Sequence, residues 1–220
     1  MTSLVPLGDQ AALAYFADEM SALHFSSVLR QAGHPWIVDI VQAYASVAVF
    51  YDLDKIKFHD VAERLRQIAI IPTALDAALK GRRHIIPCCY EFQLDLKRVA
   101  EKTGLSGEEV IRLHCDTEYT VYAIGFCPGF PFLGYLPPEL CGVRRLDSPR
   151  KRLEAGSVGL TGRQTGIYTE IRPGGWNIIG RTPLELVNVE DGYFPIRTGD
   201  RVKFERIDSN NYRKLLGKRL

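Results

Sequence analysis

The sequence predicts an α+β domain at the N-terminus followed by a mainly antiparallel β domain. Two stretches and one junction point there. Apolar residues recur at helical spacing in two places before residue 70, between short β-rich runs. From Tyr119 to Thr182 glycine instead punctuates short β-branched and aromatic runs, the pattern of strands joined by tight turns. Between the two lies the basic run Lys80-Gly81-Arg82-Arg83, read as a solvated linker, which sets the expected domains at 1–82 and 83–220.

In chain order, Ser3 to Leu7 and Ala11 to Phe16 flank Gly8-Asp9-Gln10 and read as a hairpin. Met20, Leu23, Phe25, Val28, Leu29 and Ala32 then share one helical face, with Asp18 or Ser21 as cap and Gly33 as stop. Trp36 to Tyr51 is β-rich and reads as two strands meeting near Ala43-Tyr44-Ala45. A second amphipathic helix carries Phe58, Val61, Ala62, Leu65, Ile68 and Ala69, and Pro72 is expected to end it. Beyond the junction, His84 to Tyr90 reads as a strand and Leu96 to Lys102 as a helix closed by Gly104. Ser106-Gly107-Glu108-Glu109 forms a capping box that opens a further helix ending near His114. Gly125 to Gly134 alternates glycine and proline with aromatics and reads as a loop of one specified shape. Gly199-Asp200 turns into a last alternating strand, Arg201 to Glu205, and Tyr212 to Leu220 reads as a frayed end or terminal helix. An antiparallel region of this size must manage its edges by closing into a barrel or pairing into a sandwich.

Composition narrows the function classes. The 220 residues carry a net charge of +2, with 46% hydrophobic and 25% charged residues, which argues against a nucleic-acid partner. No apolar run reaches the length of a membrane span, and Met1 to Pro6 lacks a secretory signature, so a cytoplasmic protein is expected. Five cysteines without a C-x-x-C pair favour reduced, buried thiols over a disulfide framework or a metal site. Gly156, Gly159 and Gly162 do not have the spacing of a phosphate-cradling loop, and Ser157 does not sit in a nucleophile elbow.

The loop Gly125-Phe126-Cys127-Pro128-Gly129-Phe130-Pro131-Phe132-Leu133-Gly134, the pair Pro149-Arg150, and the stretches Ala155 to Gly159, Gln164 to Tyr168 and Pro173 to Thr182 occur in one order. Together they resemble the family of allophanate hydrolase subunit 1, the kinase inhibitor KipI and the B subunit of bacterial 5-oxoprolinase (PxpB). The resemblance is densest over residues 84 to 204. It departs from the family pattern at Leu153-Glu154 and at Arg163. It implies a cyclophilin-like barrel for the second domain. It also implies a non-autonomous subunit of an ATP-dependent complex that opens 5-oxoproline to L-glutamate. ATP would be used by the complex and not by a loop of this chain. The partners implied are a homologous barrel subunit of the PxpC/KipA kind and a subunit of the PxpA, LamB/YcsF kind. The alternatives are an inhibitor docking on a sensor histidine kinase through Phe130-Pro131-Phe132-Leu133, and a subunit of allophanate or urea metabolism.

Within the matching motifs Arg150, Gln164 and Tyr168 are the expected catalytic residues, and Gly129, Phe130, Thr165, Asn177 and Arg181 the expected substrate contacts. Arginine offers a fork of donors suited to a carboxylate, and Gln and Asn offer groups suited to an amide. Arg150 and Arg181 read equally as surface charges, and Gln164 as a turn residue satisfying backbone. On the first reading Arg150→Ala abolishes activity and leaves the fold intact.

Overall fold

The computed structural model describes residues 1–70 and 81–220, in two compact units, Met1–Lys80 and Gly81–Leu220. The expected stop at Pro72 and the start of the basic junction at Lys80 lie outside the described residues.

The first unit is a four-stranded antiparallel arrangement in the order β1-β2-β4-β3, formed by β1 (Ser3–Pro6), β2 (Ala11–Tyr15), β3 (Ile37–Ala43) and β4 (Ser46–Tyr51). Tyr44 takes a left-handed φ of 52° at the tip of the β3/β4 hairpin. Helix α1 (Glu19–Ala32) starts where the Asp18 carboxylate accepts the Ser21 N–H and stops at left-handed Gly33. Ala22, Phe25 and Leu29 of α1 bury with Val61 and Leu65 of α2 (Phe58–Ile70) against Val47 and Val49.

The second unit is a closed barrel of seven strands. Around it run β6 (Glu118–Ile124), β13 (Arg201–Ile207), β5 (Arg83–Cys89), β12 (Asn177–Arg181), β9 (Ser157–Thr161), β10 (Gln164–Ile167) and β7 (Pro131–Gly134), and β7 returns to β6. Closure removes the free edges that an open sheet of this length would expose. The pairings are antiparallel except β13 with β5, which run parallel from Arg201 opposite Arg83 to Ile207 opposite Cys89. The barrel has the cyclophilin-like form that the resemblance implied. A separate two-stranded ribbon pairs β8 (Arg150–Leu153) with β11 (Arg172–Gly174). Helix α3 (Leu96–Thr103) ends on left-handed Gly104. Helix α4 (Gly107–Asp116) opens with the full capping box of Ser106 and Glu109.

Two local expectations change and a third is narrowed. Pro131–Gly134 is a strand, not loop, because it closes the barrel against both β6 and β10. Gly81–Arg83 is not loose linker. The Arg82 N–H donates to Asp200 Oδ1 at 2.8 Å, and Arg83 begins β5 while pairing with Glu118. Of the two readings of the C-terminal tail the terminal helix holds: α5 (Ser209–Leu215) is capped by Asp208 and buries Tyr212, and the Tyr193 hydroxyl donates to the Leu220 carbonyl.

Candidate functional site

Two polar or aromatic centres stand out in the barrel unit, one closed and one open. The closed centre is His114, on the inner face of α4, fully buried between Tyr119 and Phe204. Its bonding can be followed proton by proton. Thr165 Oγ1 gives its only hydrogen to the Gly159 carbonyl at 3.0 Å and therefore accepts from His114 Nε2–H at 2.9 Å. Nδ1 is then left to accept the Tyr90 hydroxyl at 2.8 Å, and the Cys115 thiol donates to Tyr90 in turn. Burial drives the His114 pKa down to about 3, so the ring is neutral and already satisfied. Desolvation likewise pushes the Tyr90 hydroxyl well above its ordinary value.

The open centre is an aromatic cavity of about 370 Å³ lined by Phe126, Phe130, Phe132, Tyr168 and Trp176, with Arg145, Pro149 and Pro173-Gly174-Gly175. The rings meet edge to face: Phe130 lies 5.2 Å from Tyr168 at 85° and 5.5 Å from Trp176 at 89°. Phe126 forms the lip, 62% exposed and at a φ of 69°, a left-handed conformation that few bulky residues adopt. A tight turn holds it there, in which Cys127 N–H donates to Gly125 O and Phe130 N–H to Cys127 O. Gly174 cannot carry a side chain, since a Cβ there would overlap the Tyr168 hydroxyl. Gly129, with φ of 67°, is filled against Val187. Burial raises the Tyr168 pKa, and the Arg145 and Arg150 charges oppose that shift.

The expected site residues divide between these places and the scaffold. Phe130 and Tyr168 line the cavity and Gly129 turns its loop. Thr165 belongs to the His114 chain. Gln164 opens β10 opposite Gly134. Arg150 gives both terminal nitrogens to Asp95, at 3.0 and 2.7 Å, and Asp95 also accepts the Ile178 N–H at 2.8 Å. Asn177 is saturated: its Oδ1 accepts from Arg98 and its Nδ2 donates to Arg144 O and Leu160 O. Arg181 Nε donates to Ala155 O and holds the turn before β9. Of the two departures from the family pattern, Leu153 packs in the cluster behind the cavity, and Arg163 stacks over the Tyr135 ring at 4.1 Å. The segment expected to dock on a kinase is interior, with Phe130, Pro131 and Leu133 buried, which leaves Phe126 as the exposed ring of that loop.

Two residues escaped the sequence reading. Arg145 lies in a stretch with no motif of its own, and its neighbours in the cavity are Pro149 and residues from 126–132 and 168–176. His114 is read from the sequence only as the end of a helix. The signal that marks it is its place at i and i+4 from Val110 on the buried side of a capped helix.

A chain made of a small α+β unit and a seven-stranded closed barrel, the barrel unit carrying an aromatic cavity, defines a structural class, and likeness to known proteins agrees with it. Residues 2–193 match the family described as Carboxyltransferase domain, subdomain C and D. The chain is 38% identical to the 5-oxoprolinase B subunit of Bacillus subtilis, over 94% of its own length and 93% of that protein's. It is 39% identical to the 5-oxoprolinase B subunit of Haemophilus influenzae, over 76% and 78%. Among solved structures, TTHA0988 superposes with a TM-score of 0.78 at 33% identity, covering 91% of this chain and 40% of that one. The chain thus spans well under half the length of TTHA0988. It belongs to the family of the 5-oxoprolinase B subunit, which includes PxpB and KipI.

Proposed function

We propose that this chain is the B-type subunit of an ATP-dependent 5-oxoprolinase, acting only with partner subunits to open 5-oxoproline to L-glutamate. The observation that carries the reading is likeness to a 5-oxoprolinase B subunit along nearly the whole of both chains. Membership of that family supports a role in a multi-subunit amidohydrolase system.

The chemistry of the cavity supports a binding rather than an autonomous catalytic role. A lactam carbonyl is a poor electrophile, and ATP would supply a leaving group at its oxygen. The cavity, with aromatic walls and Arg145 as its one charged lining residue, suits a small ring better than a triphosphate, which supports the reading that ATP is handled by the partner subunits. A base for the attacking water is likewise assigned to them. His114 has both ring nitrogens engaged and is neutral down to about pH 3, while burial raises the Tyr168 pKa. This chain would bind and orient the lactam and exclude water from it.

The partners proposed are a homologous barrel subunit and a subunit of the LamB/YcsF kind. Co-expression with both, followed by a glutamate-release assay, tests the reading. Release is expected to need ATP, 5-oxoproline and all three chains. Turnover by this chain alone, or a full complex inert towards 5-oxoproline, would overturn it.

A further inference from the structure

We propose that Arg145, and not Arg150, meets the carboxylate of a small ring held in the aromatic cavity. The proposal rests on the 5-oxoprolinase reading for the identity of the ring and on geometry for the residue. Arg150 has spent its fork on Asp95. Arg145 lines the cavity as its charged residue, and among the described residues no hydrogen bond or ion pair engages its guanidinium.

The backbone that carries Arg145 is clamped on both sides. Before it, the Arg144 carbonyl accepts from Asn177 Nδ2 at 3.1 Å and from Arg98 Nη2 at 3.4 Å. After it, the Leu146 N–H donates to the Gly175 carbonyl at 2.7 Å. Gly175 lies alongside this segment, where a Cβ would make ordinary contacts of 3.5 Å with Leu146 O and 3.8 Å with Arg145 Cβ. The residues that looked like ligand contacts in the sequence, Asn177 and Arg150, are thereby given positioning roles. Asn177 fixes the strap that carries the cation. Arg150, through Asp95 and the Ile178 N–H, fixes the strand next to Trp176.

The walls and the cation together specify a ligand class. Edge-to-face rings 5.2–5.5 Å apart leave flat apolar faces for a compact ring, and 370 Å³ lies within the usual range for small-molecule sites, about 300–1,000 Å³. A guanidinium lining an apolar cavity selects a carboxylate on that ring. The strained lip residue Phe126 completes the wall, in keeping with the clustering of backbone strain at binding sites. A monocarboxylated five-membered ring meets each of these conditions.

Titration of the purified chain with 5-oxoproline and with 2-pyrrolidinone, the same lactam without its carboxylate, tests the proposal. The indole N–H resonances of the two tryptophans are followed by NMR, with Trp36→Phe identifying the Trp176 signal. 5-Oxoproline is expected to shift Trp176 and to bind about tenfold to a hundredfold more tightly than 2-pyrrolidinone, as a charge-assisted contact requires. Arg145→Ala should abolish that preference without changing the melting temperature, and Arg145→Lys should keep part of it. Equal affinity for the two lactams, an Arg145→Ala variant that still prefers the acid, or no shift of Trp176 with 5-oxoproline would each overturn the assignment. The two readings fail separately. A complex that turns over 5-oxoproline normally with Arg145→Ala leaves the function and removes the residue. A wild-type chain that binds the carboxylated ring through Arg145 inside an inactive complex does the reverse.

Discussion

The His114 chain and the aromatic cavity belong to one barrel unit and are built from similar side chains, yet they are opposites. At His114 every donor has an acceptor, from the Cys115 thiol to the Gly159 carbonyl, and the ring lies out of reach of water. At the cavity a cation and an exposed, strained phenylalanine face open space. A satisfied buried network specifies a core, while groups left without partners at a concave surface mark a place for something else to bind. Polar residues inside a glycine-rich barrel are therefore not interchangeable as candidates for function.

The sharpest way to break this contrast is to titrate the closed centre. The folded-state pKa of His114 lies far below its ordinary value, so the unfolded chain takes up the proton more readily. The contribution of neutral His114 is present in full above about pH 6.5 and is lost as pH falls towards about 3. The slope is up to about 1.4 kcal/mol per pH unit, and the whole effect is on the order of 5 kcal/mol. Urea unfolding of wild type and His114→Gln across pH 3 to 7 measures it. The variant should lack this part of the acid dependence, and equal slopes would mean that His114 is hydrated in the native state.

Next in size is the ion pair made by Arg150, one of the expected catalytic residues. Arg150→Ala leaves Asp95, only 6% exposed, without its guanidinium, whereas the arginine itself is 29% exposed. Breaking a fully buried pair costs about 3–5 kcal/mol, and partial exposure lowers the expectation to about 2–3 kcal/mol. Arg150→Ala is thus expected to weaken the fold, contrary to the expectation that the fold stays intact. Thermal unfolding decides it. A variant as stable as wild type would return Arg150 to the list of free ligand contacts, and Asp95→Ala combined with Arg150→Ala should recover part of the loss.

A smaller effect is expected at the glycine behind Tyr168. A methyl group at Gly174 overlaps the Tyr168 hydroxyl and approaches Leu153 Cδ1 at 2.8 Å, so Gly174→Ala should destabilise by about 1–3 kcal/mol and narrow the cavity. Differential scanning calorimetry with and without 5-oxoproline would show both losses, and an unchanged melting temperature would mean that Tyr168 moves freely.

The smallest stability change belongs to the lip. Phe126 is largely exposed, so Phe126→Ala should alter stability by no more than about 0.5 kcal/mol. Its ring still packs edge to face on Phe130 and Tyr168, so affinity for a ring ligand should drop several-fold. Loss of stability without loss of affinity would make Phe126 a core residue and close the comparison.

Local chemistry made much of the fold legible. Gly33 and Gly104 end helices because only a residue without a Cβ takes a left-handed φ at little cost, and Ser106 with Glu109 caps α4 through atoms three residues apart. The hairpin at Gly8 to Gln10 and the strand after Gly199 follow from short-range patterns of the same kind. The motifs from Gly125 to Thr182 also located the neighbourhood of the cavity, since Phe130 and Tyr168 line it.

What the tertiary structure alone decided involves partners far apart in the chain. Asp95 meets Arg150 across 55 residues, and Thr165 meets His114 across 51. Strand β5 lies parallel to β13, which follows it by more than a hundred residues. Arg145 reaches the cavity because Asn177 and Gly175 clamp its neighbours. Periodicity and capping act over one or two turns of chain and carry no information about which arginine finds a carboxylate. That is set by barrel register, which brings β12 beside β9 and places residues 95, 144 and 160 within hydrogen-bond reach of residues 177–178. The residue types were visible in the sequence, but which of them are spent on the scaffold follows from closure of the barrel.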